Sequence, residues 1–370
     1  MNFCVSSLNC FSSSSFSSSS ENFSNHNDRD SQTLWNIHAF SYDELKVATD
    51  GFRPSNKIGE GGFGIVYKGR LKDGRRVAVK ALSVESKQGN REFMSEISSI
   101  SNITHQNLVK LHGGSIDGPS KFLVYDYMEN NSLAYILLGG EENRAKLSWK
   151  VRKEIALGIG RALAYIHEEV KPHIVHRDIK LSNILLDQNF TPKLSDFGLS
   201  RLFFDNVTHL STGVAGTLGY LAPEYAVSGH LTRKSDVYSF GILLLEIVSG
   251  RTAIDFDLQI GEFFLVQKAW EMYKSNKLVQ LVDSVLDKSS FSEQEVDRFL
   301  KVGLICVQKK CGLRPYMSTA IKMMCDEVDI QDLQISDPGL ITNIMDVKIG
   351  NRRSPSSSFT KKLSHRLQPS

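Results

Sequence analysis

The pattern of apolar and polar positions changes character once along the chain. Between residues 58 and 84 the apolar residues come in short β-rich runs, Ile65-Val66-Tyr67 and Val77-Ala78-Val79, separated by Lys72-Asp73-Gly74-Arg75. Asp-Gly between two such runs predicts a hairpin. From Arg91 to Asn102 the spacing turns helical, with Phe93, Ile97 and Ile100 on one face. Leu108-Val109-Lys110-Leu111 and Phe122-Leu123-Val124-Tyr125 return to strand. After Leu133 helices dominate. Ser148 is placed as an N-cap, and Ile155, Ile159, Leu163 and Ile166 form the apolar stripe behind it. Further helices are predicted over 232–249, 263–273, 293–307 and 317–326. The expected fold class is α+β and bilobal: a small antiparallel β-sheet lobe with one key helix, then a larger, mainly α-helical lobe.

Both ends depart from this pattern. Ten of the first twenty residues are serine, and residues 1–33 have little aliphatic surface to bury, so they read as a disordered tail. Residues 34–51 are a flanking segment. The folded body is expected over 52–330, divided near residue 128, with a C-terminal extension over 331–370. Six of the 44 cations lie beyond Asp346 and all 41 acidic residues lie at or before it, so residues 1–346 carry a net −3 and the last stretch, from about 347, is a basic disordered tail. A whole-chain charge of +3 excludes a polycationic nucleic-acid binder, and no nucleic-acid partner is expected. The longest strongly apolar run, residues 240–248, is interrupted by Glu246 and falls far short of the ~18 residues of a membrane span. The first twenty residues contain no Lys or Arg and no apolar core, so no secretory signal is expected. Five cysteines make no disulfide framework and read as free thiols.

The chemistry lies in an ordered series of polar motifs. Gly59-Glu60-Gly61-Gly62-Phe63-Gly64-Ile65-Val66 is a glycine loop in which backbone N–H groups can approach phosphates without an intervening Cβ. It runs into a strand, not a helix, which separates it from a dinucleotide-binding oxidoreductase, and no Gly-Lys-Ser/Thr follows, which separates it from a Walker A loop. Val77-Ala78-Val79-Lys80 places a lysine on the next strand, within reach of the same phosphates. Glu96 can pair with it; Glu92, one helical turn earlier, is the competing partner. His176-Arg177-Asp178-Ile179-Lys180-Leu181-Ser182-Asn183 combines a carboxylate that can orient or deprotonate a hydroxyl, a cation that can neutralise a phosphoryl group, and a neutral oxygen ligand suited to Mg²⁺. Asp196-Phe197-Gly198 adds a hard carboxylate for the same metal.

Taken together, these motifs resemble the eukaryotic protein kinase family over roughly residues 52–330; they are the motif set by which that family is known. The resemblance implies ATP and Mg²⁺. Ile58, Gly59, Glu60, Gly61, Gly62, Phe63 and Gly64 would cover the phosphates, Lys80 would hold them, and Glu96 would pair with Lys80. Asp178 would be the catalytic base supported by Lys180, with Asn183 and Asp196 as metal ligands. Val66, Ala78 and Leu185 would sandwich the adenine, with Tyr125 as gatekeeper and Asp126, Tyr127 and Met128 as hinge. Ile100, Leu111, His176 and Phe197 would stack as a spine. Ala222-Pro223-Glu224 would close the activation segment, Glu224 pairing with Arg314, and Asp236 would anchor the catalytic loop. These apolar residues would pack in a core with or without ATP. A pseudokinase scaffold would lack Lys80, Asp178, Asn183 or Asp196, and all four are present.

Two features narrow the resemblance. Lys180, two residues after Asp178, is typical of serine/threonine kinases. The flank Phe40-Ser41-Tyr42-Asp43-Glu44-Leu45 with Ala48-Thr49 and Phe52, together with Ala215-Gly216-Thr217-Leu218-Gly219-Tyr220-Leu221-Ala222-Pro223-Glu224-Tyr225, resembles plant receptor-like kinases. Without ectodomain, signal or span, the chain looks like their cytoplasmic branch, and Pro338-Gly339-Leu340 resembles its cold-responsive type. That implies protein substrates and an upstream receptor kinase. Arg177 and Arg201 would receive a phosphate on Thr212, with Ser211 and Thr208 as second choices. Related kinases often carry Arg where Gly213 stands, so one cation is missing beside that site. Asn2 rules out N-myristoylation. Cys4 and Cys10, or the basic tail, are the candidate contacts with the inner face of the plasma membrane for an otherwise cytoplasmic protein.

Overall fold

A computed structural model of the chain describes residues 37–61, 64–82, 87–205, 207–255 and 264–339. The first part is built on one six-stranded sheet. Its elements are β1 (His38–Ala39), α1 (Tyr42–Ala48), β2 (Lys57–Gly61), β3 (Gly64–Arg70), β4 (Arg76–Leu82), α2 (Lys87–Ile100), β5 (Leu111–Asp117) and β6 (Ser120–Asp126). The spatial order is β1-β5-β6-β4-β3-β2. The expected hairpin joins β3 to β4 with Arg70 opposite Arg76, and its Gly74 adopts a left-handed φ of 88°.

Strand alternation gives the sheet two working faces. Val77, Val79, Phe122 and Val124 are buried on one face with Phe40 and Leu45. Leu82, Leu123 and Tyr125 point the other way, into the main core beside Phe93, Ile97 and Ile100 of α2. Lys80 has the parity of Leu82, so the pleat alone delivers it to the α2 side.

The flanking segment is part of this lobe. β1 lies parallel to β5, His38 opposite Gly113, so the expected antiparallel sheet gains one parallel edge strand. A Cβ on Gly113 would fall 1.9 Å from the His38 carbonyl oxygen. Ser41 caps α1 in a reciprocal box: its hydroxyl accepts from the Glu44 N–H at 3.2 Å, and the Glu44 carboxylate accepts from the Ser41 N–H at 2.9 Å. Phe52 then packs against Tyr42, Tyr67 and Phe122, with ring centroids 5.4–5.8 Å apart.

The second part is helical, with short strand pairs at its upper edge. It comprises α3 (Leu133–Leu137), α4 (Glu141–Arg144), α5 (Trp149–Ala164), β7 (His173–Val175), β8 (Ile184–Leu186), β9 (Pro192–Leu194), β10 (Arg201–Phe203), β11 (Leu210–Ser211), α6 (Pro223–Ser228), β12 (His230–Leu231), α7 (Arg233–Ser249), α8 (Leu265–Lys274), α9 (Glu293–Cys306) and α10 (Met317–Met324). Every residue of α7 from Ser235 to Ser249 is buried, which marks it as the central rod. Thr232 caps its start and Gly250 (φ 66°) its end. The buried Arg152 guanidinium of α5 reaches Asp283 at 2.7 Å and the Ile247 carbonyl at 2.9 Å, tying α5 and the end of α7 to the segment after α8.

Three local expectations change. Ser148 precedes α5 but makes no side-chain cap bond. The strand expected at Leu108 begins only at Leu111; Leu108 forms an isolated bridge with Leu194. α5 continues into a π-helical turn, Tyr165–Glu169, whose His167 reaches Asp236 of α7 at 2.9 Å. The readings of both tails lie outside the described residues, as do Gly62, Phe63, Cys4 and Cys10. Cys306, Cys311 and Cys325 are free thiols.

Two outcomes follow from this packing. Gly113→Val would force β1 off the sheet edge, lowering the melting temperature by an amount equivalent to about 1–3 kcal/mol and exposing residues 38–52 to hydrogen exchange. Glu246 of α7 is buried, accepting from the Tyr220 hydroxyl at 2.8 Å and the Ala253 N–H at 2.8 Å, and burial pushes its carboxyl up to about 8. An acid whose folded value is raised stabilises the fold at low pH and loses that contribution as pH rises toward about 8. Thermal melts at pH 5.5 and 8.5 should therefore differ less for Glu246→Gln than for the unaltered chain.

Candidate active site

The site forms where the α2 side of the sheet meets the loops above α7. Lys80 Nζ lies 2.6 Å from Glu96 of α2 and 2.8 Å from Asp196. Of the two candidate carboxylates on α2, Glu96 therefore makes the ion pair. Burial opposes the ammonium charge, but Asp196 and Glu96 outweigh it and hold the Lys80 pKa well above its ordinary value. Burial likewise works against the Asp196 charge, and Lys80 more than offsets it, so that carboxyl lies below its usual range. The Tyr125 hydroxyl donates to the second oxygen of Glu96. Ser95 of α2 donates to the Phe197 carbonyl at 3.0 Å, and Ser99 meets the Ser200 hydroxyl at 2.7 Å. These two serines carry no motif signal; they become partners only when α2 packs on the Asp196-Phe197-Gly198 turn.

The loop carrying Asp178 is held from below by one carboxylate. Asp236 accepts from the backbone N–H of His176 at 2.7 Å and of Arg177 at 2.8 Å. This stabilises Arg177 in the left-handed region, φ 73°, a conformation that disfavours a long side chain. The His176 ring packs edge-on against Phe197, centroids 4.7 Å apart, and both are fully buried with Ile100 and Leu111 in the same core.

Asp178 itself is buried and oriented on both oxygens. Oδ1 accepts from the Thr217 hydroxyl at 2.7 Å; Oδ2 accepts from Asn183 Nδ2 at 3.0 Å and pairs with Lys180 Nζ at 2.8 Å. Lys180 also donates to Thr217 Oγ1 at 2.8 Å. Thr217 thus closes a triangle with Asp178 and Lys180. The Asn183 amide nitrogen is used in its bonds to Asp178, which reserves its carbonyl oxygen for another ligand.

The cleft walls follow strand parity. Val66, Ala78 and Leu185 are only half-buried, whereas Val77, Val79, Ile184 and Leu186 beside them are fully buried. Met128 is half-buried, Ile58 is 42% exposed, and Glu60 pairs with Lys57 at the cleft's outer edge. Gly61 lies opposite Gly64 across the β2–β3 turn. Gly64 has φ 134° and no room for a Cβ, which would sit 2.0 Å from the Ala81 carbonyl oxygen. Gly59 and Gly61 are different. A Cβ would meet only Val66 at 3.8 Å in the first case and nothing within 4 Å in the second.

The activation segment is clasped to the large lobe. β11 pairs with β12, and the Thr212 N–H donates to the Gly229 carbonyl at 3.1 Å. Arg177 donates to the Leu199 carbonyl at 3.0 Å, the Gly213 carbonyl at 2.9 Å and the Tyr225 hydroxyl. Arg201 is exposed overall, and partial desolvation together with the Arg177 charge lowers its pKa. Thr208 and Ser211 are exposed, and Thr212 is half-buried. Farther along, Arg314 makes a bidentate pair with Glu224 at 2.7 and 2.8 Å. Among the described residues, no helix is long and apolar enough to cross a membrane.

Comparison with known proteins agrees with this geometry. The protein kinase domain family matches residues 52–325. Cold-responsive protein kinase 1 of Arabidopsis thaliana is 52% identical over 330 residues, covering 89% of this chain and 84% of that protein. A probable leucine-rich-repeat receptor-like serine/threonine-protein kinase of the same plant is 50% identical over 306 residues, or 83% of this chain. The chain spans only 29% of that receptor's length. With the family's domain matched across most of its length, the chain belongs to the protein kinase family and has its bilobal fold.

Proposed function

We propose that the chain is an ATP-dependent serine/threonine kinase whose transfer step is run by Asp178, Lys180 and Thr217 against a nucleotide held by Lys80. The observation that carries this reading is the Asp178 carboxylate, oriented on one oxygen by Thr217 at 2.7 Å and on the other by Lys180 at 2.8 Å. A substrate hydroxyl placed there meets a carboxylate that can accept its proton and a cation that can stabilise charge on the transferred group. The rate gain comes from positioning and electrostatics, as suits a reaction with little covalent work for the protein.

The nucleotide face supports ATP. Gly59 and Gly61 lack side chains that the protein's own packing would tolerate, which fits a loop kept clear for phosphates. Lys80, held by Glu96, extends a charged ammonium toward them, while Val66, Ala78 and Leu185 offer half-buried apolar faces to a flat base, lined by Tyr125 and Met128. Asn183 and Asp196 fit a hard divalent cation: a neutral amide oxygen and a carboxylate kept ionised by Lys80. Mg²⁺ bound there would neutralise the phosphate oxygens.

The substrates would be proteins, and the similarity to receptor-like kinases favours an upstream receptor of that kind. Cys4, Cys10 and the basic stretch after residue 347 remain the candidate membrane contacts of a cytoplasmic enzyme. The clustered Arg177 and Arg201 support a phosphate on Thr212, Ser211 or Thr208.

Asp178→Asn should lower autophosphorylation in Mg-ATP by about 10²–10⁴-fold while leaving nucleotide affinity within a few-fold; turnover near the original rate would refute the role given to Asp178. Tyr125→Phe removes a buried donor from Glu96, so the fold should lose about 1–3 kcal/mol in denaturant unfolding. The Michaelis constant for ATP should rise with it, because Lys80 is positioned through Glu96.

A further inference from the structure

The segment after α10 lies beyond the residues matched by the family's domain, yet it returns to the activation segment. Ser336 donates to Gln308 Oε1 from both its N–H, at 3.0 Å, and its hydroxyl, at 2.8 Å. Pro338 forms an antiparallel bridge with Gln308, and the Gly339 N–H donates to the Val307 carbonyl at 3.2 Å. The Tyr238 hydroxyl of α7 donates to the Gly339 carbonyl at 2.5 Å. Pro338 and Gly339 are both buried.

Gly339 is there for space. Its backbone adopts no left-handed φ, but a Cβ would fall 2.5 Å from Cγ of Pro223 and 3.1 Å from the Lys309 Cα. The strap therefore touches the first residue of α6, directly after the substrate-facing stretch that begins at Thr217. The same groups surround the ion pair that fixes α6. Arg314 Nε donates to the Gln308 carbonyl at 2.8 Å, and its guanidinium lies 5.0 Å from the Tyr238 ring centroid while it holds Glu224. Three contacts of the strap, on Gln308, Tyr238 and Pro223, thus converge on residues 223 and 224.

We infer that residues 336–339 are a positioning strap for the protein-substrate platform: by pinning Pro223 and backing the Arg314–Glu224 pair, they set the path of residues 217–222 and so the docking of the protein substrate. Lys80 is held by Glu96 and Asp196, and Glu96 by Tyr125, so the groups that position the nucleotide are fastened through partners other than the strap, and the Michaelis constant for ATP serves as the internal control. The inference rests on the phosphoryl-transfer reading above, which autophosphorylation by the unaltered chain tests separately.

The test is steady-state kinetics of the full chain with casein as a generic protein substrate. Gly339→Ala should raise the Michaelis constant for casein by about fivefold while that for ATP stays within about twofold, a split that a general loss of folding does not produce. Adding Pro223→Ala, which removes the ring atoms that the new methyl meets most closely, should give a double variant that binds casein better than the product of the single effects, the signature of direct contact. Tyr238→Phe, which deletes only the hydroxyl, should act in the same direction by about twofold and serves as the test should Gly339→Ala not fold. The inference is overturned if neither constant moves, if both rise together, or if the double variant shows only the product of the two single effects.

Discussion

One ammonium group joins the three elements on which the rest of the site depends. Lys80 belongs to a strand, Glu96 to α2 and Asp196 to a loop of the large lobe, and the two carboxylates lie 2.6 and 2.8 Å from the Lys80 ammonium. Each of these groups would be unfavourable in a buried place by itself. Together they are satisfied only when the sheet, the helix and the loop are docked in one arrangement. Removing Lys80 would leave two carboxylates uncompensated, which is more damaging than never having buried the group. Tyr125, Ser95 and Ser99 add neutral hydrogen bonds around this centre, so α2 is held against both strand and loop.

A second carboxylate does the corresponding work below the cleft. Asp236 satisfies two backbone N–H groups of the catalytic loop and meets His167, which the π-helical turn brings into reach. The strained backbone of Arg177 is maintained by these bonds. Its guanidinium is then free to gather the carbonyls of residues 199 and 213 and the hydroxyl of Tyr225. At Gly213 it is the backbone carbonyl that Arg177 holds. The activation segment is thus fastened at its middle by Arg177 and the β11–β12 pair, and at its end by Arg314, with the C-terminal strap behind it.

Much of this was legible in the chain because its signals are local. Asp-Gly between two β-rich runs marked the β3–β4 hairpin and put Lys80 on its second strand. Helical spacing of Phe93, Ile97 and Ile100 marked α2. The glycine loop, Asp178, Asn183 and Asp196 were recognisable because each sits in a short motif whose chemistry requires those residue types. The choice between Glu92 and Glu96 was not legible. Both lie on one helical face, and only the depth at which α2 packs on the sheet brings Glu96 to 2.6 Å from Lys80.

The parallel β1 strand, the serines of α2, and the strap's return to Pro223 are likewise absent from any local pattern. Each is a contact between residues far apart in sequence, and no spacing rule reports the distance between such residues. Sequence by itself determined which residue types carry the chemistry and which face of each element they occupy, because backbone periodicity and glycine's steric freedom act over a few residues. Tertiary structure alone decided which polar groups meet. A buried charge or hydrogen-bonding group must find a partner, and that partner is selected by how whole elements pack.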